Sequence, residues 1–127
     1  LNNDIPKNSA DFMVSTFGIK TFSKTQQLKL ANEIYRILKP GGVFSLIEIY
    51  KPKSIFLKWI YMFYLKNIIP IIGKIFMNNS ADYKMLGKYC VDFENSHYFH
   101  SCLVALGAKS TYKIYFFGCA SGVHGTK

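Results

Sequence analysis

YRILKPGGVFSLIEIY, residues 35–50, joins two kinds of periodicity across one turn. Its start closes a helical pattern in which Leu28, Ala31, Tyr35 and Leu38 recur three and four residues apart, with Lys29, Asn32, Glu33 and Arg36 on other faces. Lys39-Pro40-Gly41-Gly42 then stops the helix, because proline cannot continue the hydrogen-bond ladder and glycine supplies the turn. Residues 43–50, VFSLIEIY, are apolar on both faces apart from Ser45 and Glu48. That is the pattern of a strand inside a parallel sheet with helices on either side.

Upstream, Ser23 followed three residues later by Gln26 marks the start of that helix as a capping box. Before it, residues 11–17, DFMVSTF, form a short apolar run ending at Gly18, which suits a buried strand opening into a loop at its carboxyl end. Strand, helix and strand in succession imply a right-handed crossover. Downstream, helices are expected over 82–89 and 96–106, the latter closed by Gly107. A strand over 111–117 follows, with a partner strand over 119–123 joined through Gly118. This is an α/β domain, with helical cover for about half of an open sheet. The strand at 11–17 would then expose an apolar edge, so the chain is expected to be sticky or partnered.

The chain has 127 residues, half of them apolar and 17% aromatic, which fits one modest domain and argues against disorder. Its net charge of +9 comes almost wholly from lysine, Arg36 being the single arginine. A dedicated nucleic-acid reader would lean on arginine and cluster its charge, so nucleic acid is not an expected partner. Cys90, Cys102 and Cys119 are odd in number and form no C-x-x-C pair, so a reducing, cytoplasmic setting is expected. His97 and His100 are three apart, but no cysteine or carboxylate is spaced to complete a site with them. His124 stands isolated near the end, and no metal is expected. Nucleophile-elbow, Walker and G-x-G-x-x-G motifs do not occur, which weakens hydrolase, kinase and self-sufficient dinucleotide-binding readings. Leu1 and the polar LNNDIPKNS opening look like the start of a piece cut from a longer chain.

Residues 55–77 are the most apolar stretch, but Lys58, Lys66 and Lys74 divide it and Pro70 interrupts it. A membrane span is therefore not expected. Phe56, Trp59, Tyr61, Phe63 and Tyr64 alternate with lysines that can snorkel, which suits a lid or an interface-seeking helix with peripheral membrane contact.

The ordered blocks D-F-M-V-S-T-F-G (11–18), Y-R-I-L-K-P-G-G (35–42) and E-I-Y-K-P (48–52) resemble the C-terminal half of class I methyltransferases that use S-adenosylmethionine. S-T-F-G-I-K-T-F, Y-M-F-Y-L-K-N-I-I-P-I-I-G (61–73), D-Y-K-M-L (82–86) and the closing G-C-A-S-G-V-H-G-T-K narrow the resemblance to the UbiE-type C-methyltransferases of ubiquinone and menaquinone biosynthesis. The resemblance implies a Rossmann-like sheet of which this chain is strands four to seven, a partial methyltransferase domain over 1–127 with 53–90 as a lid or substrate cap. It also implies S-adenosylmethionine as cofactor and a prenylated, quinol-like substrate, with activity only in the full-length protein. The family's S-F-G falls on Thr16, Phe17 and Gly18, the implied cofactor contacts. At Gly18 the structural alternative is a strand terminator that uses the backbone freedom of glycine. The family's L-R-N becomes Ile19-Lys20-Thr21, and its Y-R-Y-L becomes Tyr83-Lys84-Met85-Leu86. Lys20 and Tyr83 are the implied catalytic pair, assisting loss of a phenolic proton or steadying the phenolate, with Glu48 as a water holder, a loop cap or a solvated strand tip. Other readings are a non-catalytic subunit that pairs with a separate cofactor-binding half or a second copy, and a methyltransferase for another lipid or small molecule.

Overall fold

The computed structural model describes residues 3–71, 89–90 and 92–127. β1 (Ala10–Thr16) lies parallel to β2 (Leu38–Ile49). β2 lies antiparallel to β4 (Ala120–Thr126), which pairs with β3 (Lys109–Tyr115), giving the order β1-β2-β4-β3. α1 (Lys24–Ile37) makes the crossover from β1 to β2, α2 (Ile55–Phe63) follows β2, and α3 (His97–Ala105) precedes β3. The expected partner strand is therefore an internal one, inserted between β2 and β3.

The capping box is present: Gln26 N–H donates to Ser23 Oγ at 3.3 Å and Ser23 N–H donates to Gln26 Oε1 at 2.8 Å. α1 ends at Ile37, as the L-K-P-G-G stretch requires, but that stretch does not separate helix from strand. It is a bulged opening of β2, where the register jumps from Ala10↔Leu38 to Phe12↔Val43. Pro40, which has no N–H to donate, sits in the bulge, and Gly41 takes φ 77°. The far end of the chain holds the bulge in place, with Gly41 N–H donating to Lys127 O at 3.0 Å and Lys127 N–H to Gly42 O at 2.9 Å.

Ala31 and Ile34 of α1, Phe99 and Leu103 of α3, and Phe44, Leu46 and Val123 of the sheet form one core. Both helices thus cover the same face. The opposite face carries Phe12, Val14 and Val43, exposed to 74%, 71% and 40%. Among the described residues α1 and α3 cover one face, the α2 segment reaches the other only at Ile49, and β1 is an edge strand, so the expectation of a buried strand at 11–17 is corrected. Among the described residues nothing covers Phe12 and Val14. Phe12→Lys combined with Val14→Lys is expected to weaken self-association by about tenfold or more, since burying one such side chain is worth about 1.5–3 kcal/mol. Sedimentation equilibrium checks this, and unchanged association would acquit the face.

α2 begins at Ser54, whose hydroxyl accepts from Leu57 N–H, and widens into a π-helical turn over Tyr64–Ile68 closed by Ile69 N–H on Tyr64 O. The wide turn lies just ahead of Pro70, whose ring would meet the carbonyl four residues back in a regular helix. Met62 and Leu65 pack with Cys90 against Ile49 at the carboxyl end of β2. The expected helix over 82–89 and much of the expected lid fall on residues 72–88, outside the described residues. No helix among the described residues is long and apolar enough to cross a membrane.

His124 is not isolated in space, since β2 and β3 flank β4 on either side. Its Nδ1 is 2.8 Å from Ser45 Oγ and its Nε2 is 2.6 Å from the Tyr115 hydroxyl. Burial, and then the charge of Lys113, lowers its imidazole below the usual 6.5. Burial, and then His97, does the same to His100. The unfolded chain therefore binds protons near pH 6.5 that the folded chain refuses, so stability falls as pH drops through 6.5 and levels once both states are protonated. A second loss is expected at lower pH. The guanidinium of Arg36 holds Glu33 at about 2, so its contribution is present above 4.5 and disappears as pH falls towards 2. Urea midpoints measured from pH 8 to 3 check both steps.

Candidate functional site

The carboxyl ends of β1 and β2 lie side by side, Thr16 opposite Ile47, and the chain leaves the sheet there. Phe17 N–H donates to Ile47 O at 2.9 Å, adding one more rung before the chain turns. The turn is made at Phe17, which takes φ 60°, a conformation that costs a bulky residue free energy. Gly18 is at φ −104°, and a Cβ there would meet nothing closer than Ser15 Oγ at 3.7 Å. The backbone freedom of glycine is thus not what position 18 uses; the left-handed residue is its neighbour. A single 3-10 turn, Ile19–Thr21, follows, with Thr21 Oγ1 donating to Gly18 O at 2.8 Å.

Glu48 fastens this loop. Its carboxylate accepts from Lys20 N–H at 2.9 Å through Oε2, and from Lys20 Nζ at 2.9 Å and Ile49 N–H at 2.9 Å through Oε1. Lys20 Nζ also donates to the carbonyl of Phe17, so a single ammonium bridges strand end and loop. The two side chains are 3% and 0% exposed. A charged pair so far from water holds only because both ends are hydrogen-bonded. Lys20 is not a solvated loop charge in this arrangement: both acceptors of its ammonium belong to the chain. Of the roles left open for Glu48, the loop cap is the one the geometry shows.

Phe17 keeps its ring 53% exposed and Thr16 is exposed, so the end of β1 presents a hydroxyl and an aromatic face outward. Beside the loop a cleft of about 380 Å³ opens between the start of α1 and residues 92–95, lined in part by Lys20, Ser23, Gln27 and Asn95. Thr16, Phe17 and Gly18 do not line it. Behind the ion pair, burial pushes the Cys90 thiol up to about 11, with Lys20 opposing the rise and Glu48 adding to it. Cys90 is therefore a buried thiol that stays protonated at neutral pH, packed with Met62 and Leu65. Among the described residues no group of histidines, cysteines and carboxylates could hold a metal ion.

Thr16, Phe17, Gly18 and Lys20 thus come together on one loop, while Tyr83 lies outside the described residues. The left-handed Phe17 had no signal in the sequence. The pairing of Lys20 with Glu48, 28 residues apart, had a faint one: a single glutamate closing an otherwise apolar strand.

A family model described as the ubiE/COQ5 methyltransferase family matches residues 2–127. The ubiquinone/menaquinone biosynthesis C-methyltransferase UbiE of Geotalea daltonii is 35% identical over 111 residues, covering 85% of this chain and 46% of that protein. The protein of the same name from Pseudoalteromonas translucida is 39% identical over 83 residues, 65% of this chain and 32% of its own. A demethylmenaquinone methyltransferase of a Geobacillus species is 30% identical over 93 residues, 73% of this chain and 39% of its own. The chain therefore spans a third to a half of the length of these relatives. Among solved structures, an S-adenosylmethionine-dependent methyltransferase of Thermotoga maritima, described as a possible histamine N-methyltransferase, superposes with a TM-score of 0.60 at 17% identity, over 99% of this chain and 60% of that one. Human N-acetylserotonin methyltransferase in complex with S-adenosylmethionine does so with 0.55 at 18% identity, over 100% of this chain and 33% of that one. At such identities the likeness is one of fold. The four-stranded α/β unit shares the fold of part of each of these methyltransferases.

Proposed function

The chain belongs to the ubiE/COQ5 methyltransferase family, and from that premise we propose that the protein carrying it methylates a ring carbon of a prenylated quinol, with S-adenosylmethionine as donor. The observation that supports this most directly is the pinned loop at the carboxyl ends of a parallel strand pair, where ligands of open α/β sheets sit. The names of the matched relatives supply the substrate class.

S-adenosylmethionine bound at that edge supplies an electrophilic methyl group on a sulfonium. The residues present fit one end of it: Thr16 offers an exposed hydroxyl, Phe17 an exposed ring and Gly18 an edge without a side chain. Such transfer is an in-line displacement, so the chain's part is alignment and exclusion of water. Lys20 and Glu48 act as positioning residues, holding the backbone of Phe17 to Lys20 against the end of β2. Tyr83 is the proposed partner of the ring hydroxyl, which must lose its proton for the adjacent carbon to become nucleophilic. Held beside Thr16, Phe17 and Gly18, the donor would supply the methyl group with loss of its carbon–sulfur bond, and the ring carbon that takes it would give up its hydrogen as a proton.

The test uses the intact protein, a donor with a deuterated methyl group and a demethylated quinol. Mass spectrometry is expected to find the label on a ring carbon, and an unlabelled quinol would overturn the reading. Replacing Lys20 and Tyr83 together is expected to lower turnover, and unchanged turnover would remove both from the mechanism. The 127 residues alone are expected to show no saturable binding of S-adenosylhomocysteine by calorimetry, since the cofactor loop after the family's first strand is not in the chain. The exposed face of β1 favours a second arrangement, in which this chain pairs with a separate cofactor-binding half or a second copy. Stoichiometric binding by the isolated chain would support the copy.

A further inference from the structure

At the turn between β3 and β4, Phe116, Phe117 and Gly118 take φ 50°, 55° and 94° in succession. Two phenylalanines in the left-handed region are strained, and neither recovers the strain by packing: their exposures are 74% and 95%. The turn is nonetheless held firmly, with Cys119 N–H donating to Phe116 O and Tyr50 N–H to Cys119 O. A rigid turn that thrusts two bare rings into water is explained by a surface that receives them.

The turn continues into α2. Phe117 and Gly118 share a cleft of about 600 Å³ with Lys53 and Ser54, the residues that lead into the helix. The helix then presents Ile55, Phe56 and Trp59 at 86%, 76% and 71% exposure. A second cleft of about 560 Å³ runs along it, with Lys51, Lys58 and Lys66 set around Trp59 and Phe63. Residues 51–71 contain four lysines and no aspartate or glutamate. Aromatic rings ringed by lysine stems with one sign of charge match the layered chemistry of a bilayer surface, acyl chains below and anionic headgroups above. A protein partner of matching shape would have to be both apolar and acidic at the same spots.

We propose that the Phe116–Gly118 turn and the lysine-flanked aromatic face of α2 together form a docking surface for an anionic phospholipid bilayer. The turn inserts its two rings, α2 lies in the interface plane, and the lysines reach the headgroups. This goes beyond the methyl-transfer reading and does not depend on it, because neither element carries a group assigned to that chemistry.

Trp59 is the single tryptophan of the chain, so its fluorescence reports the surface directly. The full chain is mixed with vesicles of phosphatidylcholine, or of phosphatidylcholine with about a third phosphatidylglycerol, and binding is measured by flotation. Blue-shifted Trp59 emission and flotation are expected with the anionic vesicles alone, both weakening as salt is raised. Phe116→Asn with Phe117→Asn retains residues that tolerate the left-handed backbone and is expected to cut binding by about tenfold while leaving the unfolding midpoint in place. Lys53→Glu with Lys58→Glu is expected to abolish the preference for anionic lipid. Equal binding to both vesicles, an unshifted Trp59, or full binding by the double asparagine variant would overturn the proposal. So would emission already blue-shifted in a dimer without lipid, which would assign the surface to a second copy. No methyl donor is present, so failure here and failure of the methylation assay are separate results.

Discussion

Lys20→Met is expected to destabilise the folded chain by about 3–5 kcal/mol, enough to unfold much of a domain whose whole stability is about 5–15 kcal/mol. The cause is the carboxylate left behind. Glu48 is fully buried, and without the ammonium it keeps only the N–H groups of Lys20 and Ile49. The Phe17 carbonyl loses its donor as well. A second variant separates this penalty from loss of packing: Lys20→Met with Glu48→Leu removes both charges and is expected to regain most of the stability, because a well-packed apolar pair often replaces a buried ion pair at little cost. Urea unfolding of the two variants beside the parent chain checks this. If the single and double variants were equally unstable, the ion pair would be incidental to the fold. In the intact protein the double variant should stay folded yet lose turnover through the loosened Phe17–Lys20 loop, the signature of a positioning pair.

Gly125→Ala should be the most damaging single-methyl change in the sheet, costing about 3 kcal/mol or more. Gly125 lies on β4 between Phe44 of β2 and Ser110 of β3. A Cβ there would overlap the Lys109 carbonyl oxygen and come within 2.8 Å of Phe44 Cζ. The first obstacle is backbone, so relief requires the β3–β4 ladder to part. Gly122→Ala is the control. Its Cβ would meet His124 Nε2 at 2.7 Å and Tyr115 Cε2 at 2.8 Å, both side-chain atoms that can turn aside, so about 1 kcal/mol is expected. Thermal unfolding of the two variants distinguishes them, and equal midpoints would show that β4 has slack which the close approach of β3 denies.

These two sites show how much of the molecule could be read in advance. Periodicity placed α1 and the cores of β1 and β2 correctly, because each pattern is local and the capping pair Ser23 and Gln26 acts within one turn of chain. Lys39 to Gly42 reads as a stop, and the helix does end just before it, at Ile37. Whether the next residues count as strand was decided by Lys127, from the other end of the chain. Lys20 was singled out for its charge and its place in the motif, but its environment was invisible. Nothing local to G-I-K-T says that a carboxylate 28 residues away will enclose it. His124 is a similar case, isolated along the chain and doubly bonded across strands.

What the amino-acid order determined by itself is therefore the kind of domain, the strand–helix–strand unit, and the family, whose motifs are contiguous in the chain. What only the tertiary structure decided is the insertion of β4 between β2 and β3, the burial of Lys20 against Glu48, and the joining of the Phe116–Gly118 turn to α2 as one exposed surface. The division has a physical reason. Helical and strand patterns arise from interactions within a few residues, whereas the state of a charge or an exposed ring depends on which distant residues exclude water from it.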